Sequence, residues 1–302
     1  MGKGVPRRHH GGDEDRRTLL TTAGSTRASK SGTVVERTRC SSVFPVPVQR
    51  AAALSLAERP IEGTAVAGPD SSNRIGNLLF DAFPPDTRAR FVDGAVMKPI
   101  EPGRDYVSIG DEVRWSFFPM SGTMSILAQP DEETTVEAST VGREGAADAF
   151  ASIGSLRARH RLIGQIAGQV LVMDAKLLTE EVSHPGRTQT LVFSYIQALY
   201  CQAAISAACN AQHPVTQRAA RWLLASHDRV DVDSFTLKHE FLAYMLGVSR
   251  PTVSIAAGAL KTAGVLDYSR GTVTILDREG LEAAACACYE QVRLQYSELI
   301  EL

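Results

Sequence analysis

The chain has 302 residues, of which 44% are hydrophobic and 22% charged, and its formal net charge is -2. This places it among ordinary soluble proteins and its length fits two domains. No unbroken apolar run approaches the roughly 18 residues of a membrane span, and the polar, arginine-rich start lacks a secretory h-region, so a cytoplasmic protein without membrane partners is expected. The five cysteines, Cys40, Cys201, Cys209, Cys286 and Cys288, form no Cys-x-x-Cys pair and no zinc-ligand spacing. Cys286 and Cys288 stand two apart in an expected helix, which turns them to nearly opposite sides. No metal site is expected. The cysteines read as small core residues, with a redox role for Cys201 or Cys209 as the minority option.

Residues 1–72 are rich in Gly, Ser, Thr, Arg and Pro, carry no sustained period, and read as a disordered extension. Arg7, Arg8, Arg16 and Arg17 make it basic without making it a motif. Residues 73–91 suggest a short helix through Ile75, Leu78, Leu79 and Phe80. Short alternating segments follow at 91–92, 106–109, 113–118, 123–127, 135–138 and 165–172, separated by Pro-Gly, Ser-Gly and Pro-Asp-Glu breaks. Six such strands predict an antiparallel roll over 73–187, a shape that commonly encloses a small ligand.

A long helix is expected over 188–210. Val192, Ile196, Leu199 and Ala203 repeat at spacings of four and three, a heptad stripe. Phe193, Tyr200, Ala204 and Ala207 form a second apolar arc. One face can pack on the roll and the other on an identical helix, so a homodimer is expected, with the first stripe taken as its interface and 188–212 as the dimerisation segment.

Residues 241–254, FLAYMLGVSRPTVS, read as two helices around a turn at Gly247, the supersecondary unit that most often enters a DNA major groove. Ser249 or Arg250 caps the second helix, with Pro251 in its first turn. Gly264 ends it, and 265–268 and 272–276 read as strands around a turn at Arg270-Gly271. Residues 213–302 are therefore expected to form a winged helix-turn-helix, and the fold class is α+β. There is no nucleophile-base-orienter set and no phosphate-cradling loop, so an enzyme is not expected.

The order of parts resembles the Crp/Fnr family of bacterial transcription regulators. The likeness runs from about residue 73 to the C-terminus and rests on FFPMSG at 117–122, VGREG at 141–145, QRAARWLLASHDRV at 217–230, the 241–254 segment and SRGTVTILDREGLEAAACACY at 269–289. It implies a sensory cyclic-nucleotide-binding-like jelly roll, a dimer helix, and a winged helix that binds double-stranded promoter DNA and recruits or excludes RNA polymerase. Mapped by the turn glycine, it places Ser249, Arg250 and Thr252 at phosphate or base edges, with Lys238 and His239 near the backbone. On this mapping Ser254 and Ile255 face the groove, while Lys261 and Arg270 are either phosphate contacts or solvated surface cations. Pro251 and Ile255 stand where well-known members carry base-reading residues, so their operator does not carry over.

The cyclic-nucleotide cassette is degraded. Glu144 is followed by Gly145 and the later Arg161 by leucine, leaving these two as the candidate effector residues and the effector unknown. No other cofactor is implied, and the N-terminal cysteine cluster of iron-sulfur relatives is missing. The alternative reading is a cyclic-nucleotide-binding regulatory protein whose winged helix contacts protein.

Overall fold

The computed structural model describes residues 64–65, 74–130, 135–154 and 156–300. The basic N-terminal tract and Cys40 lie outside these residues. Thr64–Ala65 corrects the expectation for 1–72 in one place, since it forms a two-residue strand, β1, paired with Val96 and Met97.

The expected helix over 73–91 is two helices, α1 (Leu78–Ala82) and α2 (Pro85–Val92), because Pro84 and Pro85 interrupt it. Phe91 belongs to α2 and not to a strand. It packs edge-on against Phe83, with ring centroids 5.7 Å apart, in a cluster with Phe80 and Phe118.

Two antiparallel four-stranded sheets face each other, in the orders β1-β2-β8-β4 and β3-β7-β5-β6. Their strands are β2 (Val96–Ile100), β3 (Asp105–Val107), β4 (Trp115–Pro119), β5 (Thr123–Ala128), β6 (Val136–Val141), β7 (Arg161–Ile166) and β8 (Gly168–Asp174). Sequence patterning does not reveal β2, because Pro99 interrupts it. The proline is tolerated because β1 pairs only with Val96 and Met97, leaving Pro99 unpaired on that side. The expected strand at 165–172 divides at Ala167, where the chain crosses between sheets. A Cβ on Gly168 would lie 2.1 Å from the Ser121 carbonyl oxygen, so the crossing requires glycine. Phe117, Phe118, Met124, Leu162, Val170 and Leu171 fill the space between the sheets.

After α3 (Ala175–Val182) comes α4 (Arg187–Gln212), 26 residues with no Asp, Glu or Lys. By length and composition alone α4 is apolar enough to cross a membrane. Glutamine, serine and threonine interrupt its apolar run, which is why a search for an unbroken run passes over it. Its Leu191, Val192, Tyr195 and Leu199 are buried in the core of the roll. That burial corrects the dimer assignment: Val192 and Leu199 belong to the chain's own core and Ile196 packs against it, whereas Phe193 and Tyr200 are 47% and 69% exposed. The apolar stripe predicted for a partner is the one that the roll's own hydrophobic demand consumes.

The C-terminal part comprises α5 (Val215–His227), β9 (Ser234–Thr236), α6 (His239–Leu246), α7 (Arg250–Thr262), β10 (Leu266–Ser269), β11 (Thr272–Ile275), α8 (Arg278–Ala284) and α9 (Cys288–Ile300). β9 adds a third strand to the wing, in the order β10-β11-β9. Leu223, Leu242, Leu246, Val253, Leu260 and Val273 form its core, continuous with Leu127, Ile163 and Ile166 on the roll. The expected helix through Cys286 and Cys288 breaks at Ala285, whose ψ of 161° is extended, so Cys286 lies between α8 and α9. α9 then returns to α4, where the Tyr296 hydroxyl donates to Gln202 Oε1 at 2.5 Å.

Candidate nucleic-acid interface

Gly247 turns the chain between α6 and α7 with φ 61° and ψ 37°, a left-handed conformation that glycine adopts without steric cost. Its N–H bonds back to α6 carbonyls, and the Val248 N–H donates to the Ala243 carbonyl at 3.0 Å, closing a Schellman-type cap. Ser249 is the N-cap of α7: its hydroxyl accepts from the Thr252 N–H. Arg250 and Pro251 therefore occupy the first turn, where proline's missing N–H removes no helical bond. Val253, Ala256, Ala257 and Leu260 face the core, which turns Arg250, Ser254, Ile255, Gly258 and Lys261 to solvent.

Arg250 is held by Glu240 of α6, with Nη1 2.8 Å from Oε1 and both side chains more than half exposed. Lys261 is similarly engaged by Asp267 at 2.6 Å. Neither acid is apparent from sequence as a partner, because each pair is made by packing between separate elements. Arg270 sits at the wing tip with φ 51°, followed by Gly271 with φ 80°. Two consecutive positive φ values give the primed turn that matches strand twist. Lys238, the exposed N-cap of α6, lies beside this tip, its Cγ 3.9 Å from where a Gly271 Cβ would be.

His239 lies between the helices and the wing. Its Nδ1 is 3.1 Å from Ser254 Oγ and its ring stacks on Tyr268 at 4.2 Å. Burial, and then the charge of Arg250, hold its pKa below the ordinary histidine value. His239 thus links α7, through Ser254, to the wing, through Tyr268.

The two candidate effector residues do not share a site. Arg161 pairs with Asp105 through Nε and Nη2 at 3.1 and 2.7 Å. Glu144 accepts the Gly142 N–H at 3.0 Å and receives Arg229 from the C-terminal part, with Nη2 to Oε1 at 2.6 Å and Nε to Oε2 at 3.2 Å. Arg229 Nη1 also donates to Thr140 Oγ1 at 2.6 Å. Burial opposes the Arg229 charge, but Glu144 outweighs it and the arginine's pKa is raised. Both glycines of the VGREG segment serve this packing: a Cβ on Gly142 would lie 2.4 Å from Arg229 Cδ, and one on Gly145 would lie 1.9 Å from the Tyr195 ring. A cavity of about 380 Å³ adjoins the pair between β6, α4, α5 and α9, and Glu144 lines it while Arg161 does not.

Residues 217–284 match the Crp-like helix-turn-helix domain family. No curated protein matches the chain. Solved structures that share its fold include the following three. One, from Eubacterium rectale and assigned to the Crp/Fnr family of transcriptional regulators, is 14% identical with a TM-score of 0.53, covering 68% of this chain and 96% of its own. FixK2 from Bradyrhizobium japonicum is 14% identical at TM-score 0.52, covering 64% and 98%. A Crp-family transcriptional regulator from Thermus thermophilus is 18% identical at TM-score 0.52, covering 62% and 96%.

Proposed function

We propose that this chain, a Crp/Fnr-type protein in its fold and its helix-turn-helix domain, is a cytoplasmic regulator that binds near-palindromic promoter sites as a homodimer. The observation that carries the reading is the face around the start of α7. Arg250, Ser254, Ile255, Lys238 and Arg270 lie exposed on the recognition helix, the α6 entry and the wing tip, the set of positions that meets a major groove and its flanking phosphates. On binding, Arg250 exchanges Glu240 for a base edge, and a guanine N7 and O6 match its two-pronged donor geometry.

Dimerisation is supported by the outer face of α4. Phe193, Gln197, Tyr200, Ala204 and Ala207 are exposed at heptad spacing, and about one third of the helix's most apolar window is buried in the single chain. A second α4 covers this face. The junction cavity is the place where a small effector acts, since its lining includes Glu144 and Arg229 from the two parts that an effector has to couple. At such a site the bound dimer either recruits RNA polymerase or excludes it.

Selection of bound sequences from random DNA, followed by binding measured across salt concentrations, tests the proposal. An enriched sequence with dyad symmetry and a steep salt dependence is the expected result. Absence of DNA affinity at low salt overturns it in favour of a winged helix that contacts protein.

A further inference from the structure

Four side chains that are distant in sequence converge behind the wing. Cys209 and His213 lie four apart at the end of α4, one helical turn, and so share a face. The break at Ala285 brings Cys286 and Cys288 to the same point. One ligand atom from each of the four lies within 4.8 Å of every other. The three cysteines are 0%, 6% and 7% exposed, and among the described residues Ile205 packs against them.

We propose that Cys209, His213, Cys286 and Cys288 bind one Zn²⁺ as a closed structural site. Two sulfurs each about 2.3 Å from a tetrahedral ion stand about 3.8 Å apart, and a sulfur and an imidazole nitrogen about 3.6 Å apart. Cys209 Sγ and Cys286 Sγ are 3.5 Å apart, and Cys288 Sγ is 3.6 Å from His213 Nδ1. A disulfide, at about 2.05 Å, is much shorter. Three thiolates, one imidazole and no position left for substrate are the donor set of a structural zinc centre, and the soft sulfur ligands select against magnesium and calcium.

The surroundings suit the charge. Three thiolates and one Zn²⁺ sum to minus one, and the cations of Arg218 and Arg221 act on the cluster. Each has a buried Nε–H without a hydrogen-bond partner among the described residues, and thiolate sulfurs are acceptors for such donors. Arg218 also donates through Nη2 to the Leu246 carbonyl at the end of α6. The ion joins α4 to the segment after α8, and through α5 it supports the helix that precedes the recognition helix. Metal binding thereby fixes where α7 stands relative to the long helix.

The full chain, purified under reducing conditions without chelator and supplied with Zn²⁺, is assayed for metal by mass spectrometry and reconstituted in parallel with Co²⁺. One zinc per chain is expected, with the intense visible bands and thiolate charge-transfer absorption of tetrahedral cobalt. Cys286→Ser and Cys288→Ser lower zinc content at least tenfold, while Cys201→Ser retains it. To separate metal loss from misfolding of a buried variant, the wild-type chain supplies a second readout: zinc protects three of its thiols from alkylation and a chelator exposes them. Zinc below a tenth of an equivalent in the fully reduced chain overturns the proposal. So does a Cys209–Cys286 disulfide in freshly isolated protein, an iron-sulfur chromophore after anaerobic purification, or weak octahedral cobalt bands.

Discussion

Arg229 and Glu144 form a bidentate ion pair, 2.6 and 3.2 Å long, whose side chains are 7% and 11% exposed, and it joins the helix-turn-helix domain to the roll. A pair this buried is costly to break by halves, because the remaining charge loses both its partner and its water. Arg229→Ala or Glu144→Gln is expected to destabilise the chain by about 3–5 kcal/mol in urea unfolding. The double variant should cost clearly less than the two losses added together. Additive losses would mean that the two groups act independently.

Gly145 gives a related prediction. A Cβ there would sit 1.9 Å from the Tyr195 ring, and Tyr195 is fully buried in α4. Gly145→Ala should therefore destabilise by about 1–3 kcal/mol or more through overpacking. Calorimetry checks it, and an unchanged melting temperature would show that α4 can move away freely.

At the DNA face, Arg250→Ala should weaken binding to a selected site roughly five- to hundredfold, the equivalent of about 1–3 kcal/mol, with the fold unchanged by circular dichroism. Glu240→Gln is expected to act in the opposite direction. It releases Arg250 from its 2.8 Å pair and removes a negative charge beside the phosphates. Fluorescence anisotropy on one DNA fragment compares the two, and weaker binding by Glu240→Gln would contradict the exchange of partners.

The exposed arc of α4 predicts oligomeric state. Tyr200, 69% exposed, should tolerate glutamate in the folded monomer but lose the dimer, giving one chain by light scattering. Val192→Glu should unfold the chain instead, because Val192 is fully buried. The reverse pattern would restore the inner stripe as the interface.

Glu137 makes stability depend on pH. Burial pushes its pKa up to about 7, against the lowering influence of Ser125, Trp222, Gln165 and Arg221. A carboxyl with a raised folded pKa binds more protons in the folded state than in the unfolded one. Its contribution is thus fully present below about pH 4.3 and is lost as pH rises through about 7. Urea unfolding at pH 5 and pH 8 should differ by on the order of 1–3 kcal/mol more for the wild type than for Glu137→Gln. Since Trp222 of α5 donates to Glu137 Oε1 at 3.1 Å, equal slopes would place the titration elsewhere.

Local patterns carried much of the architecture. The turn at Gly247, a cap at Ser249 or Arg250, the wing hairpin and the long helix were legible because each depends on a short sequence whose period or turn chemistry acts within a few residues, and the structure decided the cap for Ser249. Strand β2 and the crossing at Ala167 were not, since an edge position that tolerates Pro99 and a change of sheet are properties of the neighbours. The same limit applies to the sites. Sequence alone determined that Arg250 projects from the leading end of the second helix of the helix-turn-helix. Only the tertiary structure decided that Glu240 holds it, that Glu144 clamps Arg229, which apolar arc of α4 the roll consumes, and that three cysteines and a histidine meet. Those are long-range contacts, set by how helices and sheets pack rather than by any spacing along the chain.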